Sequence, residues 1–103
     1  MATIPKILLV DDNPDFCGTL ADIIHALGWH TEIINVPEDA LAYLEAHNAG
    51  ISLLLLDIEF TTSQQMSGMD VLAIARRTYP ALPVIMISGK GTIENAVKAT
   101  KLG

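Results

Sequence analysis

Two short apolar runs, each followed directly by aspartate, constrain the fold of this chain more than any other feature. The first run is Lys6–Val10, followed by Asp11 and Asp12, and the second is residues 51–56, followed by Asp57. A continuous apolar run of this length between polar residues is typical of a strand that is buried on both faces. Such strands belong to parallel sheets covered by helices, so the runs favour an α/β fold.

Helix and strand patterns alternate along the rest of the chain. We predict strands at residues 6–10, 31–35, 51–57 and 84–88, and helices at residues 14–27, 37–46, 68–78 and 92–102. The first helix is predicted from apolar residues at helical spacing, and Gly28 is expected to end it. Those apolar residues are Phe16, Leu20, Ile23, Ile24 and Leu27. Strict alternation predicts a parallel sheet with right-handed crossovers and helices on both faces.

Composition narrows the class of protein. The chain has 103 residues, which suits one domain, and half of them are hydrophobic. Its longest apolar run is far too short for a bilayer-spanning helix, so we expect no membrane segment. Twelve acidic residues against six basic ones give a net charge of −6, which argues against direct nucleic-acid binding. A single cysteine, Cys17, excludes an internal disulfide and suits a reducing cytoplasm.

The three aspartates predict a metal site. In open α/β sheets, functional groups gather outside the carboxyl ends of the strands, where Asp11, Asp12 and Asp57 are expected. Three carboxylates in one crevice repel each other unless a cation joins them, and Mg²⁺ prefers oxygen ligands. A different interpretation stays open at this point. An acidic pair after a strand is often solvated or caps a helix, and Asp12 could cap the first helix.

Motifs at several strand ends resemble the receiver domain of two-component response regulators, especially receivers of the nitrogen-regulation type. The resemblance covers nearly the whole chain. It rests on Val10-Asp11-Asp12, Leu-Leu-Asp57, Ser88-Gly89 and the segments 67–72 and 88–103. It implies a flavodoxin-like, doubly wound parallel sheet of strand order 2-1-3-4.

The resemblance also implies roles for individual residues. Asp57 would be the phosphoacceptor, a carboxylate nucleophile that takes a phosphoryl group from a histidine kinase. Asp12 would bind Mg²⁺ directly and Asp11 through water, with the backbone carbonyl of Glu59 as a further ligand. Ser88 would hydrogen-bond the phosphoryl group and act as a switch. The domain would not be an enzyme beyond Mg²⁺-dependent self-phosphorylation from a phosphodonor and autodephosphorylation.

The family normally carries a lysine after a fifth strand, and this sequence stops at Gly103, before that position. We therefore expect residues 1–103 to be a receiver domain truncated before strand five, most simply a fragment of a longer protein with an output domain. A degenerate receiver is the alternative. Without that lysine, phosphorylation is expected to be slow. Strand four would become an apolar edge, which predicts dimerisation or element exchange.

Two other functional classes have some support in the sequence. Residues 53–59 are similar to a Walker B strand and residues 89–92 superficially to a P-loop, which would indicate a nucleotide hydrolase. A P-loop needs its helix directly after the lysine, whereas here glycine follows Lys90, so we reject this class. A receiver-like interaction module that is never phosphorylated stays open. Mg²⁺ binding that depends on Asp12 and Asp57 would distinguish the two.

Overall fold

The computed structural model of the chain describes residues 4–57 and 66–87. Four strands of this part form one parallel sheet in the order β2-β1-β3-β4, which confirms the predicted fold class and strand order. Helices and a short 3₁₀ turn connect the strands. In chain order the elements are β1 (Lys6–Val10), α1 (Pro14–Ala26), β2 (His30–Ile34), α2 (Pro37–His47), the 3₁₀ turn (Asn48–Gly50), β3 (Leu53–Asp57), α3 (Gly68–Thr78) and β4 (Val84–Ile87).

The register of the sheet determines which residues meet at its carboxyl edge. β1 lies between β2 and β3, with Val10 opposite Ile34 on one side and Leu56 on the other. β3 continues one residue further and places Asp57 opposite Ile87 of β4. The residues that follow β1 and the last residue of β3 therefore come together at one edge.

The main core lies between one face of the sheet and helices α2 and α3. Leu8, Leu54 and Leu56 on this face are completely buried. Burying a leucine side chain contributes about 1.5–3 kcal/mol. The packing of this layer therefore stabilises the position of β3 alongside β1. Their buried partners in the same cluster are Val10, Ala40, Leu44, Ile51, Val71, Leu72, Ala75 and Leu82.

Helix α1 packs through a different face from the apolar stripe that predicted it. Its buried residues are Cys17, Ala21 and Ile24. Ile23 and Leu27, by contrast, are 58% and 61% exposed. Periodicity located the helix correctly, and of the five apolar residues that predicted it only Ile24 is buried.

Most element ends agree with the sequence prediction, with small corrections. β2 begins one residue earlier than predicted, and β3 begins at Leu53 rather than residue 51, because the 3₁₀ turn Asn48–Gly50 precedes it. Gly28 ends α1 as predicted and has a φ of 85°, a left-handed conformation that favours glycine. The predicted helix at residues 92–102 lies outside the described residues. None of the described helices is long and apolar enough to cross a bilayer.

Candidate functional site

The three predicted aspartates lie together at the carboxyl edge of the sheet. Asp11, Asp12 and Asp57 each present a carboxylate oxygen, and these oxygens all lie within 4.8 Å of one another. Asp11 is buried, at 7% exposure, whereas Asp12 and Asp57 are half-buried. The arrangement follows from the parallel pairing of β1 with β3, which brings their carboxyl ends to the same level. The structure confirms the predicted gathering of these side chains.

Hydrogen bonds hold the chain where it leaves β1. The Asp11 N–H donates to the carbonyl of Ile34 at 3.1 Å, which extends the pairing with β2 by one residue. The Asp11 carboxylate accepts from the Asn13 N–H at 2.9 Å. Asn13 in turn caps α1, because its side-chain oxygen accepts from the Phe16 N–H at 3.1 Å. The idea that Asp12 caps this helix is therefore wrong.

Two residues that sequence reasoning did not assign to the site contact the main chain of Asp11. Asn35 follows β2 directly, and its Nδ2 donates to the Asp11 carbonyl at 2.7 Å. The Cys17 thiol, buried on α1, donates to the same carbonyl at 3.6 Å. A polar residue directly after a strand that ends at the same edge was the available sequence signal for Asn35.

The carboxylates create a strongly negative environment. Burial raises the pKa of the Cys17 thiol, and the nearby charges of Asp11, Asp12 and Asp57 raise it further, to about 11. The negative charges that raise the pKa of Cys17 would also attract a cation to the three carboxylates.

The donor set fits a small divalent cation. All three side chains offer carboxylate oxygens, the hard ligands that Mg²⁺ binds. Their oxygens all lie within 4.8 Å of one another, near enough for the three side chains to share one cation. Asp11, Asp12 and Asp57 could therefore hold such an ion. The other two predicted site residues, Glu59 and Ser88, lie outside the described residues.

The sequence of residues 7–103 matches the family model of the response regulator receiver domain. The chain belongs to the response regulator receiver family. The match covers nearly the whole chain and agrees with the strand order and the acidic edge described above. Proteins of this family are phosphoacceptors of two-component signalling rather than enzymes in the usual sense.

Individual relatives support the same assignment. The receiver domain is 39% identical over 97 residues to the nitrogen assimilation regulatory protein NtrX of Azorhizobium caulinodans. That alignment covers 94% of this chain and 21% of the relative, so the chain spans about a fifth of the length of this relative and of the NtrX-like protein of Rickettsia bellii.

Solved structures share the fold of this receiver domain. A response regulator receiver protein from Pseudomonas putida has a TM-score of 0.87 and 30% identity, covering 100% of this chain and 83% of that one. NtrX from Brucella abortus has a TM-score of 0.86 and 35% identity, covering 98% of this chain and 22% of that one. The receiver fold is therefore shown by sequence and by structure.

Proposed function

We propose that this receiver domain accepts a phosphoryl group on Asp57 from a histidine kinase, with Mg²⁺ held by Asp11, Asp12 and Asp57. The observation that carries the proposal is the meeting of these three carboxylates within 4.8 Å at the ends of β1 and β3. A carboxylate oxygen of Asp57 would attack phosphorus while the bond from phosphorus to the kinase histidine breaks. The products would be an aspartyl phosphate and a free imidazole.

Asp57 is suited to be the acceptor by its position. It is the last residue of β3, paired with Ile87 of β4, so its main chain is fixed on an inner strand. Its side chain is half-buried rather than enclosed, which leaves access for a phosphodonor. Asp11 and Asp12 flank it from the end of β1 and offer their carboxylates to the cation.

The bare cluster is poorly suited to phosphoryl transfer. Three neighbouring carboxylates repel the negative oxygens of an incoming phosphoryl group. A bound Mg²⁺ would neutralise this charge, which is the main contribution a metal makes in phosphoryl transfer. The chain itself contributes the positions of its oxygen ligands.

Two finer roles rest on the family resemblance. The backbone carbonyl of Glu59 would complete the protein ligands, and Ser88 would hydrogen-bond the phosphoryl group on Asp57. Both residues lie outside the described part of the chain. Self-phosphorylation from a small phosphodonor and autodephosphorylation belong to the same proposal.

The setting of the domain is also a proposal. The chain spans 21% of NtrX from A. caulinodans, which supports a role as the receiver part of a longer regulator with an output domain. A kinase partner of this type implies a cytoplasmic location. Self-association through the β4 edge is proposed as well, since Ile85 on that strand is 53% exposed.

Phosphorylation of the purified chain tests the acceptor assignment. The chain is incubated with Mg²⁺ and acetyl phosphate or a cognate kinase, and the mass gain of one phosphoryl group, which hydroxylamine should remove, is followed by intact mass. We expect slow labelling of the native chain and of Asp22→Asn, which alters an exposed aspartate on α1, but none of Asp57→Asn. Labelling of Asp57→Asn would refute Asp57 as acceptor. Absence of both Mg²⁺ binding and labelling of the native chain would favour the interaction module.

A further inference from the structure

The carboxyl end of β2 contacts the acidic site through a side chain that the proposed chemistry does not use. We propose that Asn35 is a positioning residue of the metal site. It fixes the main chain between Asp11 and Asp12 so that their carboxylates are held where they meet Asp57. This inference rests on the proposed function, because it concerns the affinity of the same site for Mg²⁺.

Both polar main-chain groups of Asp11 are bound by consecutive residues of one segment. The Asp11 N–H donates to the carbonyl of Ile34 at 3.1 Å, and the Asp11 carbonyl accepts from Nδ2 of Asn35 at 2.7 Å. The second distance is at the short end of the range for N–H···O hydrogen bonds. The hydrogen bond to Ile34 joins main-chain atoms. Of these two hydrogen bonds, a substitution can therefore remove the one that the Asn35 side chain donates.

The carbonyl of Asp11 belongs to the peptide group that leads into Asp12. Because a peptide group is planar, a hydrogen bond to this carbonyl also fixes the plane that carries the Asp12 nitrogen. The pairing of β1 with β3 ends one residue earlier, at Val10 and Leu56. Contacts from the β2 side and from α1 therefore help to orient the Asp11–Asp12 step.

Mutual repulsion makes such a restraint useful. Three carboxylates within 4.8 Å tend to separate when no cation is bound. A main chain held in place reduces the ordering that metal binding must otherwise impose. If Asn35 is removed, the Cys17 thiol still donates to the Asp11 carbonyl at 3.6 Å, but a thiol is a weak donor.

Mg²⁺ titration of the purified chain, followed by NMR and calorimetry, tests the inference. Asn35→Ala removes the donor, and Asn48→Ala is the control because Asn48 is also half-buried but lies beyond α2, before β3. We expect Asn35→Ala to weaken Mg²⁺ binding about three- to tenfold, the loss of one hydrogen bond, and Asn48→Ala to leave it unchanged. The ¹³C resonance of the Asp11 carbonyl should move upfield in Asn35→Ala.

A second measurement uses the native chain and does not depend on how the variant folds. The side-chain amide resonances of Asn35 should shift on saturation with Mg²⁺, whereas those of Asn48 should not. A purely structural role would lower the thermal midpoint of Asn35→Ala and leave both Mg²⁺ readouts unaffected.

The outcomes separate the inference from the function on which it rests. If the native chain binds Mg²⁺ no more tightly than Asp57→Asn, the proposed metal site fails and the inference fails with it. If binding depends on Asp57 but Asn35→Ala binds within twofold of the native chain, or the Asn35 resonances do not move with Mg²⁺, the inference alone is overturned.

Discussion

Asp12 and Asp57 present carboxylate oxygens within 4.8 Å of each other, one after β1 and the other at the end of β3. Two like charges about 4 Å apart repel by about 1 kcal/mol in water, and by more where the site is partly buried. This repulsion between the two carboxylates is one electrostatic contribution to the stability of the domain, and substitution of Asp57 can measure it.

Asp57→Asn is expected to stabilise the metal-free domain by about 1 kcal/mol, because it keeps the side-chain shape and removes one of three like charges. Saturating Mg²⁺ should stabilise the native chain by binding the folded state, and should do so much less for Asp57→Asn. Urea unfolding with a chelator and with Mg²⁺ measures both effects. Asp22→Asn is the control and should respond to Mg²⁺ as the native chain does. A destabilised Asp57→Asn in chelator would contradict the repulsion argument.

Asn13→Ala is expected to cost about 1 kcal/mol of folding stability, because the side chain of Asn13 caps α1 through the Phe16 N–H. Its contact with the Asp11 carboxylate uses the main-chain N–H and survives the substitution. Mg²⁺ affinity should therefore change little, unlike in Asn35→Ala. Asn13→Ser, which retains a capping oxygen, should recover most of the stability. Thermal unfolding measures the loss of stability, and Mg²⁺ titration measures the affinity of the site. A large loss of Mg²⁺ affinity in Asn13→Ala would show that the Asn13 side chain does more than cap α1.

The sequence predicted the acidic site well because the site depends on where strands end. Apolar runs locate the ends of β1 and β3, and the rule for parallel sheets places Asp11, Asp12 and Asp57 on one edge. The contact between Asn35 and Asp11 was not predicted, since it depends on how far the pairing of β2 with β1 extends. A strand pattern does not specify that register.

The inward face of α1 shows a second limit. Phe16, Ile23 and Leu27 are larger than Cys17 and Ala21, so the apolar pattern predicted the helix without identifying Cys17 and Ala21 as its buried residues. Small side chains are favoured where a helix packs closely on a sheet. Hydrophobic periodicity gives them little weight, because it detects apolar residues and not how closely two elements pack. Gly28 was predicted correctly because a left-handed residue after a helix has a strong local preference for glycine.

We expect Cys17 to make the free energy of unfolding depend on pH in the alkaline range. The pKa of its thiol is about 11 in the folded domain, above the ordinary value of 9.0, first because of burial and then because of the neighbouring aspartates. The folded state thus binds this proton more tightly than the unfolded state. The resulting stability is fully present below pH 9.0 and is lost as the pH rises through about 11.

Unfolding free energies from pH 8 to 11, in chelator, test the effect of Cys17. Cys17→Ala should show a smaller loss across the upper part of that range than the native chain. A disulfide reagent at pH 8 should modify the native thiol only as fast as the domain opens, since the side chain is fully buried. Rapid modification of the folded chain would contradict the raised pKa of the Cys17 thiol, and so would identical pH profiles for the native chain and Cys17→Ala.

The edge of the sheet at β4 is expected to allow self-association. Within the described residues β4 pairs with β3 on one side, and Ile85 on β4 is 53% exposed. An apolar strand at the edge of a sheet can pair with another chain, and a lysine there disfavours such pairing. We therefore expect the isolated chain to associate at high concentration, and Ile85→Lys to reduce association. Ile4→Lys is a matched control because Ile4 has the same exposure but precedes β1. Light scattering that shows a monomer for the native chain at high concentration would exclude this edge as an interface, whereas equal effects of the two lysines would point to general charge repulsion.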